Sequence, residues 1–379
     1  AVKHVNDDFW HDFNENARKL SKSDFILLGE YLHGDPALVN KTWRSAGFDC
    51  LFDFPLYYTM KDVFAQGGDC RKLASRLYYD RNYPDAGMLA TLLDNHDLDR
   101  FITSCKGDIN KYKLAMAFLM CVRGIPTLCY GDEQALRGAH RRLPYNRCDM
   151  KFTNKSQMFN FTKELIEMRK AHKCLRRGLH CHIYADKNLY VFGRLLPDDF
   201  AIIVFNTSDK DRNFEIDSPF DLNQNNIKAD YGDNDSEISV NNRILQGVIA
   251  SESFAVYFPE CNKNNLKSEF DRWNNRFKDE NYFDEQSVKF SLKVKNPIKN
   301  GEYYLVGNCA ELGNWSVDKA VMMNNIGNNT FEAVVELPVG KIFDCKCLMK
   351  IGEKTVWMDG ENIIDVVNQK FGQNVKIVW

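Results

Sequence analysis

The chain has 379 residues, 44% of them apolar and 27% charged, with a net charge of −2. That length leaves room for two or three domains with sizeable cores. The near balance of charge gives no basis for attraction to nucleic acid or to a membrane surface. The longest apolar run, Leu114–Val122, is about half of what a bilayer span needs. Twelve cysteines lie without metal-ligand spacing. Cys121 and Cys129 stand in apolar stretches and are expected as buried free thiols. The close pair Cys345 and Cys347 is expected on opposite faces of a strand.

In chain order, Phe9, Phe13, Ala17 and Leu20 recur at helical spacing and predict a helix with one apolar face. "FILLGE" predicts a short buried strand over Phe25–Leu28, ending at Gly29-Glu30. "CLFDFPL" predicts a second strand, and Leu73 with Leu77 the helix after it. "GMLATLLDNHD" predicts a third strand ending near Asn95. A helix over Lys111–Val122 follows, then a strand in "IPTLCYG" that runs into "DEQ". Met158, Phe161, Leu165 and Met168 mark one more helix. Four strand–helix units with continuously apolar strands predict a parallel sheet covered on both faces.

Chemistry in such sheets gathers beyond the carboxyl ends of the strands. Glu30, Asn95-His96-Asp97 and Asp132-Glu133-Gln134 stand there. Glu30 and Asp97 are separated by about two strand–helix units of roughly 30 residues or more each, so neighbouring units of a barrel can bring both carboxyls to one mouth. Two carboxyls at one mouth suit glycosidic chemistry, one donating a proton to the leaving oxygen and one facing the oxocarbenium-like charge. A metal site is the alternative on spacing alone.

From about Cys181 to Phe258 the texture changes to alternation of apolar and polar residues. The polar segment Cys261–Gln286 reads as a linker with some helical tendency. The last roughly 95 residues hold six or seven short strands, which predict a small antiparallel sandwich. The expected domains are 1–175 (half of a barrel), 176–260 (all-β), 261–285 (linker) and 286–379 (a second β-sandwich).

"LLDNHDLDRF", Leu92–Phe101, resembles the seventh-strand motif of the α-amylase family of glycoside hydrolases (family 13), where Asn-His-Asp is followed by Arg-Phe. "FILLGE" is similar to its fifth-strand motif, "FDFPLYYTMKDVF" to its sixth-strand neighbourhood and "GIPTLCYGDEQ" to its eighth. The resemblance implies the second half of a TIM (β/α)8 barrel, then an all-β domain. "AVKH", Ala1–His4, looks like the tail of the fourth-strand motif. That implies a nucleophilic Asp immediately before Ala1, with the first four strands and an inserted domain ahead of it. The chain alone is therefore expected not to hydrolyse starch.

By the same resemblance Glu30 is the general acid/base and Asp97 the second catalytic carboxylate. His96 and Asn95 bind substrate, and Lys3 and His4 line the leaving-group side. The His4 carbonyl is a ligand of a structural calcium. Arg100 is read as a structural ion-pair residue.

"GEYYLVGNCAELGNW" and "CKCLMKIGEKTVWMDGEN" resemble a starch-binding module of carbohydrate-binding family 20. Exposed indoles suit this task, since flat rings stack on apolar sugar faces at low entropy cost. The resemblance implies paired surface tryptophans at Trp315 and Trp357, with Lys346 and Asn362 as polar partners. Tyr304 matches a residue of a second site, and Phe331 stands where that site has a Trp. Met358 departs from the Glu the family often has there, and Val321–Thr330 contains no aromatic, so one sound glucan site is expected.

Together these imply hydrolysis of internal α-1,4 bonds in starch, glycogen or related α-glucans by a protein that is monomeric when complete. The other readings are a cyclodextrin-forming transglycosylase and a starch-binding protein without catalysis.

Overall fold

The computed structural model describes residues 2–21, 25–152, 156–220, 222–278, 285–338, 341–360, 362–367 and 373–379. Ala1, the first residue of the "AVKH" motif, lies outside them. In the first part, four short strands lie side by side in chain order: β1 (Leu28–Gly29), β2 (Cys50–Leu51), β3 (Ala90–Leu92) and β4 (Ile125–Thr127). β1 pairs with β2, Phe52 bridges to Ala90, and β3 pairs with β4, all in parallel. Helices alternate with them: α1 (Asp7–Leu20), α2 (Pro36–Ala46), α3 (Phe54–Met60), α4 (Arg71–Tyr78), α5 (Phe101–Ser104), α6 (Ile109–Cys121), α7 (Gln157–Ala171) and α8 (Lys173–Arg177). This is the α/β layer the four apolar runs predict.

The helix starts are set locally. Asp35 accepts from Ala37 N ahead of Pro36, Asp53 from Leu56 N, and Asp108 from Asn110 and Lys111 N. Such caps satisfy donors that have no partner inside the helix. In α6 every residue from Leu114 to Cys121 is buried, so the long apolar run is a core helix. No described helix is long and apolar enough to cross a membrane.

One expectation fails here. The strand predicted over Phe25–Leu28 pairs only at Leu28 and Gly29, and Phe25, Ile26 and Leu28 are exposed. Among the described residues β1 has a strand on one side only. The helix read from Phe9, Phe13, Ala17 and Leu20 is present as α1; Ala17 packs on the core while Phe9, Phe13 and Leu20 are exposed. The helix docks through Trp10, Asn14 and Ala17, with Trp10 against Phe48 and Asn14 Nδ2 donating to Ala46 O at 2.8 Å. Periodicity identifies a face that gains by burial, but not whether a neighbour is there to bury it.

The second part is a sandwich of antiparallel sheets, built from β5 (Leu179–Ala185), β6 (Leu189–Leu195), β7 (Phe200–Asn206), β8 (Arg212–Asp217), β9 (Gln224–Lys228), β10 (Tyr231–Gly232), β11 (Glu237–Asn241), β12 (Ile244–Ile249) and β13 (Ser253–Tyr257). One sheet runs β10-β13-β7-β6-β5 and the other β8-β12-β11-β9. Strands β6 and β7 are buried on both faces. Val191, Ile202 and Val204 face the second sheet, while Tyr190, Phe192, Ile203 and Phe205 face the barrel half. Phe118 of α6 packs its ring against Tyr190, Phe192 and Phe205, so the two parts share a core.

His180 on β5 is buried in that seam, with Nε2 2.9 Å from Tyr190 Oη. Burial, and then the charges of Arg194, Arg123 and His182 that face it, push its imidazole well below the usual range. The unfolded chain takes up a proton near pH 6.5 and the folded chain does not. Stability is therefore full above that pH and is lost as pH falls from there through the depressed folded value. The urea midpoint is expected to drop between about pH 7.5 and 5.5, by an amount equivalent to about 1.4 kcal/mol per unit of separation, and His180→Gln should flatten the drop. An equally steep profile in the variant would remove His180 as the cause.

The segment read as a linker is a helix over most of its length. α9 (Lys263–Lys278) buries Leu266 and Trp273 on the sandwich. The Trp273 ring stacks 5.9 Å from Phe220, and Arg272 Nη2 donates to Pro219 O at 2.9 Å. Two apolar anchors among polar residues are too sparse to stand out as a period, yet they suffice to dock a helix.

The last part has two sheets, from β14 (Glu285–Lys293), β15 (Glu302–Gly307), β16 (Val321–Met322), β17 (Asn324–Gly327), β18 (Thr330–Pro338), β19 (Ile342–Ile351), β20 (Lys354–Trp357), β21 (Ile363–Val366) and β22 (Asn374–Val378). One is β17-β18-β14-β22, the other β16-β15-β19-β20, with β21 also on β19. The expected all-antiparallel pattern is broken once, since β14 and β22 run parallel. Cys345 and Cys347 do not face opposite ways: both enter the core with Phe343 and Met349, because residues two apart in a strand share a face. None of the twelve cysteines forms a disulfide. The module seats on α4 through β19 and β21. Arg71 Nη1 lies 3.1 Å from Asp365 Oδ1, and Val366 is buried in the barrel half's core.

Candidate active site and glucan-binding surface

Glu30 directly follows β1, and its main-chain oxygen accepts from Val2 N at 2.9 Å. This lays the turn Val2–His4 beside it, with Lys3 Nζ 3.3 Å from Leu32 O. Asn95, His96 and Asp97 form the turn after β3. Asn95 Oδ1 accepts from Asp97 N at 2.9 Å, and Asn95 Nδ2 lies 3.5 Å from Glu30 Oε1. One amide thus bridges the ends of β1 and β3 and brings the two carboxyl-bearing turns together. His96 Nε2 is 3.6 Å from Asp97 Oδ2, and both side chains are substantially exposed.

A buried ionic cluster holds the β3 turn. Asp94 Oδ2 accepts from Phe101 N at 2.7 Å, and Arg100 Nη1 lies 3.2 Å from Asp94 and 3.5 Å from Asp132. Burial, and then the charge of Asp94, push the Asp132 carboxyl well above the usual range. One guanidinium is thereby matched to a pair of carboxyls that do not both ionise easily. Arg100 Nε donates to Asn146 O, and Asn146 Nδ2 returns to His96 O and Leu98 O at 2.8 and 2.7 Å. Arg147 closes the ring: Nε donates to His96 O at 2.8 Å and Nη2 pairs with Asp97 Oδ1 at 2.6 Å.

Sequence reasoning missed Asn146 and Arg147. They stand about fifty positions beyond the turn they hold, in a loop with no periodic signal. Lys3 and His4 are exposed. Among the described residues no group of three or more His, Cys, Asp or Glu side chains is placed to hold a metal.

On the C-terminal sandwich, Tyr304 of β15, Leu348 of β19 and Trp357 of β20 lie opposite one another in register. They form a row on the face turned away from the core, with Leu348 itself fully buried. Lys346, two residues before Leu348, shares that face, and its Nζ donates to Gly360 O at 2.6 Å. This ties down the turn that leads to Asn362, which is exposed. Gly313, Asn314 and Trp315 have φ of 81°, 50° and 61°, and a Cβ at Gly313 would meet Lys319 O at 2.5 Å. A left-handed backbone at Trp is strained, and it holds the indole outward. Trp315 is 37% and Trp357 40% exposed, which excludes a core role for either.

Phe331 does not serve as a second platform. It is 7% exposed, with its ring 4.3 Å from Tyr303 inside the sandwich. Its side of β18 faces inward, which the residue type alone does not reveal. Met358 is buried too, its N–H donating to Cys347 O at 3.0 Å.

The alpha-amylase catalytic-domain family matches residues 3–151, and the starch-binding-domain family matches residues 285–377. Over residues 3–151 the chain belongs to the alpha-amylase family. A beta/alpha-amylase of Paenibacillus polymyxa is 32% identical over 264 residues, which is 68% of this chain and 21% of that protein. A cyclomaltodextrin glucanotransferase of Thermoanaerobacterium thermosulfurigenes is 22% identical over 459 aligned positions, covering 100% of this chain and 64% of that protein. The solved alpha-amylase from Geobacillus thermoleovorans, complexed with acarbose, superposes with a TM-score of 0.63 at 26% identity, over 69% of this chain and 58% of that one. The chain spans between 21% and 37% of the length of the first curated relatives it matches. As in that family, the α/β layer here is barrel-type and carries its polar residues at the strand ends.

Proposed function

We propose that this alpha-amylase family chain supplies the acid/base side of a retaining α-1,4-glucan hydrolase, and holds its substrate through the C-terminal module. The supporting observation is the Asn95 amide, 3.5 Å from Glu30 and hydrogen-bonded to the Asp97 turn. Glu30 protonates the oxygen of the leaving sugar as the glycosidic bond breaks. The carbon is taken by the Asp that the family motif puts immediately before Ala1. Glu30, now a carboxylate, then removes a proton from water, which displaces the enzyme-bound sugar with net retention. Asp97 and His96, exposed at the mouth, hold sugar hydroxyls and strengthen that hold as positive charge develops on the ring. Asn95 orients Glu30, and Lys3 and His4 flank the leaving-group side.

A cyclodextrin-forming transglycosylase uses the same groups, and a relative of that name aligns along the whole chain. Hydrolysis is preferred because residues 258–284, most of them in α9, are all that separates the strands of the two sandwiches, whereas transglycosylases of the family usually carry a further sandwich there. Product analysis decides between them. The polypeptide extended upstream of Ala1, incubated with soluble starch, is expected to release linear maltooligosaccharides. Cyclic glucans as the main product would overturn hydrolysis in favour of transfer.

A further inference from the structure

Away from the β1 and β3 strand ends, a pocket of about 490 Å³ lies where the barrel half, the first sandwich and α9 meet. Five arginines line it, Arg81, Arg123, Arg176, Arg177 and Arg194, against two carboxylates, Asp80 and Asp85. Arg123 is already answered, pairing with Asp80 at 2.6 Å and with Asp53 behind it. Arg194 is not. It is 1% exposed and donates only to the main-chain oxygens of Cys121 and Gly178. A buried guanidinium without a carboxylate is costly. Burial, and then the nearby charge of Arg169, bring Arg194 down to about 9. Arg176 and Arg177 are exposed at the mouth and make no ion pair among the described residues.

Three of the wall residues also keep a buried polar atom without a hydrogen-bond partner: Nε of Arg194, Nδ1 of His180 and Oη of Tyr83. Each of the three residues is more than nine-tenths buried. When Tyr190 Oη donates to His180 Nε2, Nδ1 carries the hydrogen, and all three atoms are then donors. These three atoms are closed off from solvent; the guanidinium charge around a cavity of small-molecule size is what describes an anion site. A phosphoryl group suits it best, since its oxygens accept from several directions and planar guanidinium forks match them.

We propose that this pocket binds a phosphate group, as free phosphate or on a small phosphorylated sugar, at a place separate from the glucan-cleaving and starch-binding residues. Occupancy ties the barrel half, β5, β6 and α9 together, so ligand should raise resistance to unfolding.

Isothermal titration of the chain with inorganic phosphate and, separately, with glucose 1-phosphate tests this, at constant ionic strength set with sodium chloride. Arg194 is too deeply packed to be the first variant, so R176Q/R177Q is used, both side chains being exposed. Saturable binding is expected, weakened about ten-fold or more in R176Q/R177Q, which corresponds to about 1.4 kcal/mol. Tighter binding of glucose 1-phosphate than of phosphate identifies a sugar phosphate as the ligand. Equal or weaker binding identifies the free ion. No saturation by either probe up to about 10 mM, where affinity falls below about 3 kcal/mol, overturns the site. So does unchanged affinity in the double variant.

Discussion

Glu30→Gln, in the polypeptide extended upstream of Ala1, is expected to lower kcat for starch hydrolysis by about 10³-fold, within the 10²–10⁴ range of a general acid/base. The substitution keeps the shape of the side chain and an oxygen to meet Asn95 Nδ2, which lies 3.5 Å from Glu30 Oε1. It removes only the proton that the leaving oxygen needs and the base that the second step needs. KM should therefore change little, because the sugar hydroxyls are held by other groups. Stability should stay within about 0.5 kcal/mol, as for substitutions that open no cavity and strand no buried charge. Activity near that of the parent would remove Glu30 from the chemistry, whatever its position.

Trp315→Ala combined with Trp357→Ala is expected to abolish sedimentation with granular starch while the module stays folded. Each indole is more than a third exposed, so truncation opens no cavity. As stacking anchors each should contribute about 2 kcal/mol to binding, or roughly thirty-fold, and losing both leaves only polar contacts. Phe331→Ala is the contrasting variant. It sits in the core against Tyr303, and should cost about 3–5 kcal/mol of stability with no binding loss beyond what unfolding causes. Unchanged sedimentation of the Trp double variant would move starch binding to another surface.

Much of the candidate site is legible in the sequence because a strand's end is legible. An apolar run that stops at a carboxyl or an amide locates both strand and mouth, and Glu30 and Asn95-His96-Asp97 are read in that way. The surface tryptophans are legible only through the resemblance, since an indole in a β-rich segment belongs to a core as readily as to a surface. Asn146 and Arg147 are not legible at all. A loop residue that holds another loop by a main-chain oxygen leaves no pattern in composition or spacing.

Local rules account for the helix caps at Asp35, Asp53 and Asp108, for the order of the strands, and for the alternation that separates the sandwiches from the barrel half. All of these depend on near neighbours in the chain, so the sequence determines them. Which apolar faces find a partner is decided only in three dimensions. Phe9 and Phe13 remain in solvent while Trp273 is buried, and β6 and β7 are covered on both sides. The same holds for Arg194, left among main-chain oxygens beside other arginines. Burial and charge pairing depend on what segments far apart in sequence bring to the same place, and only the assembled chain fixes that.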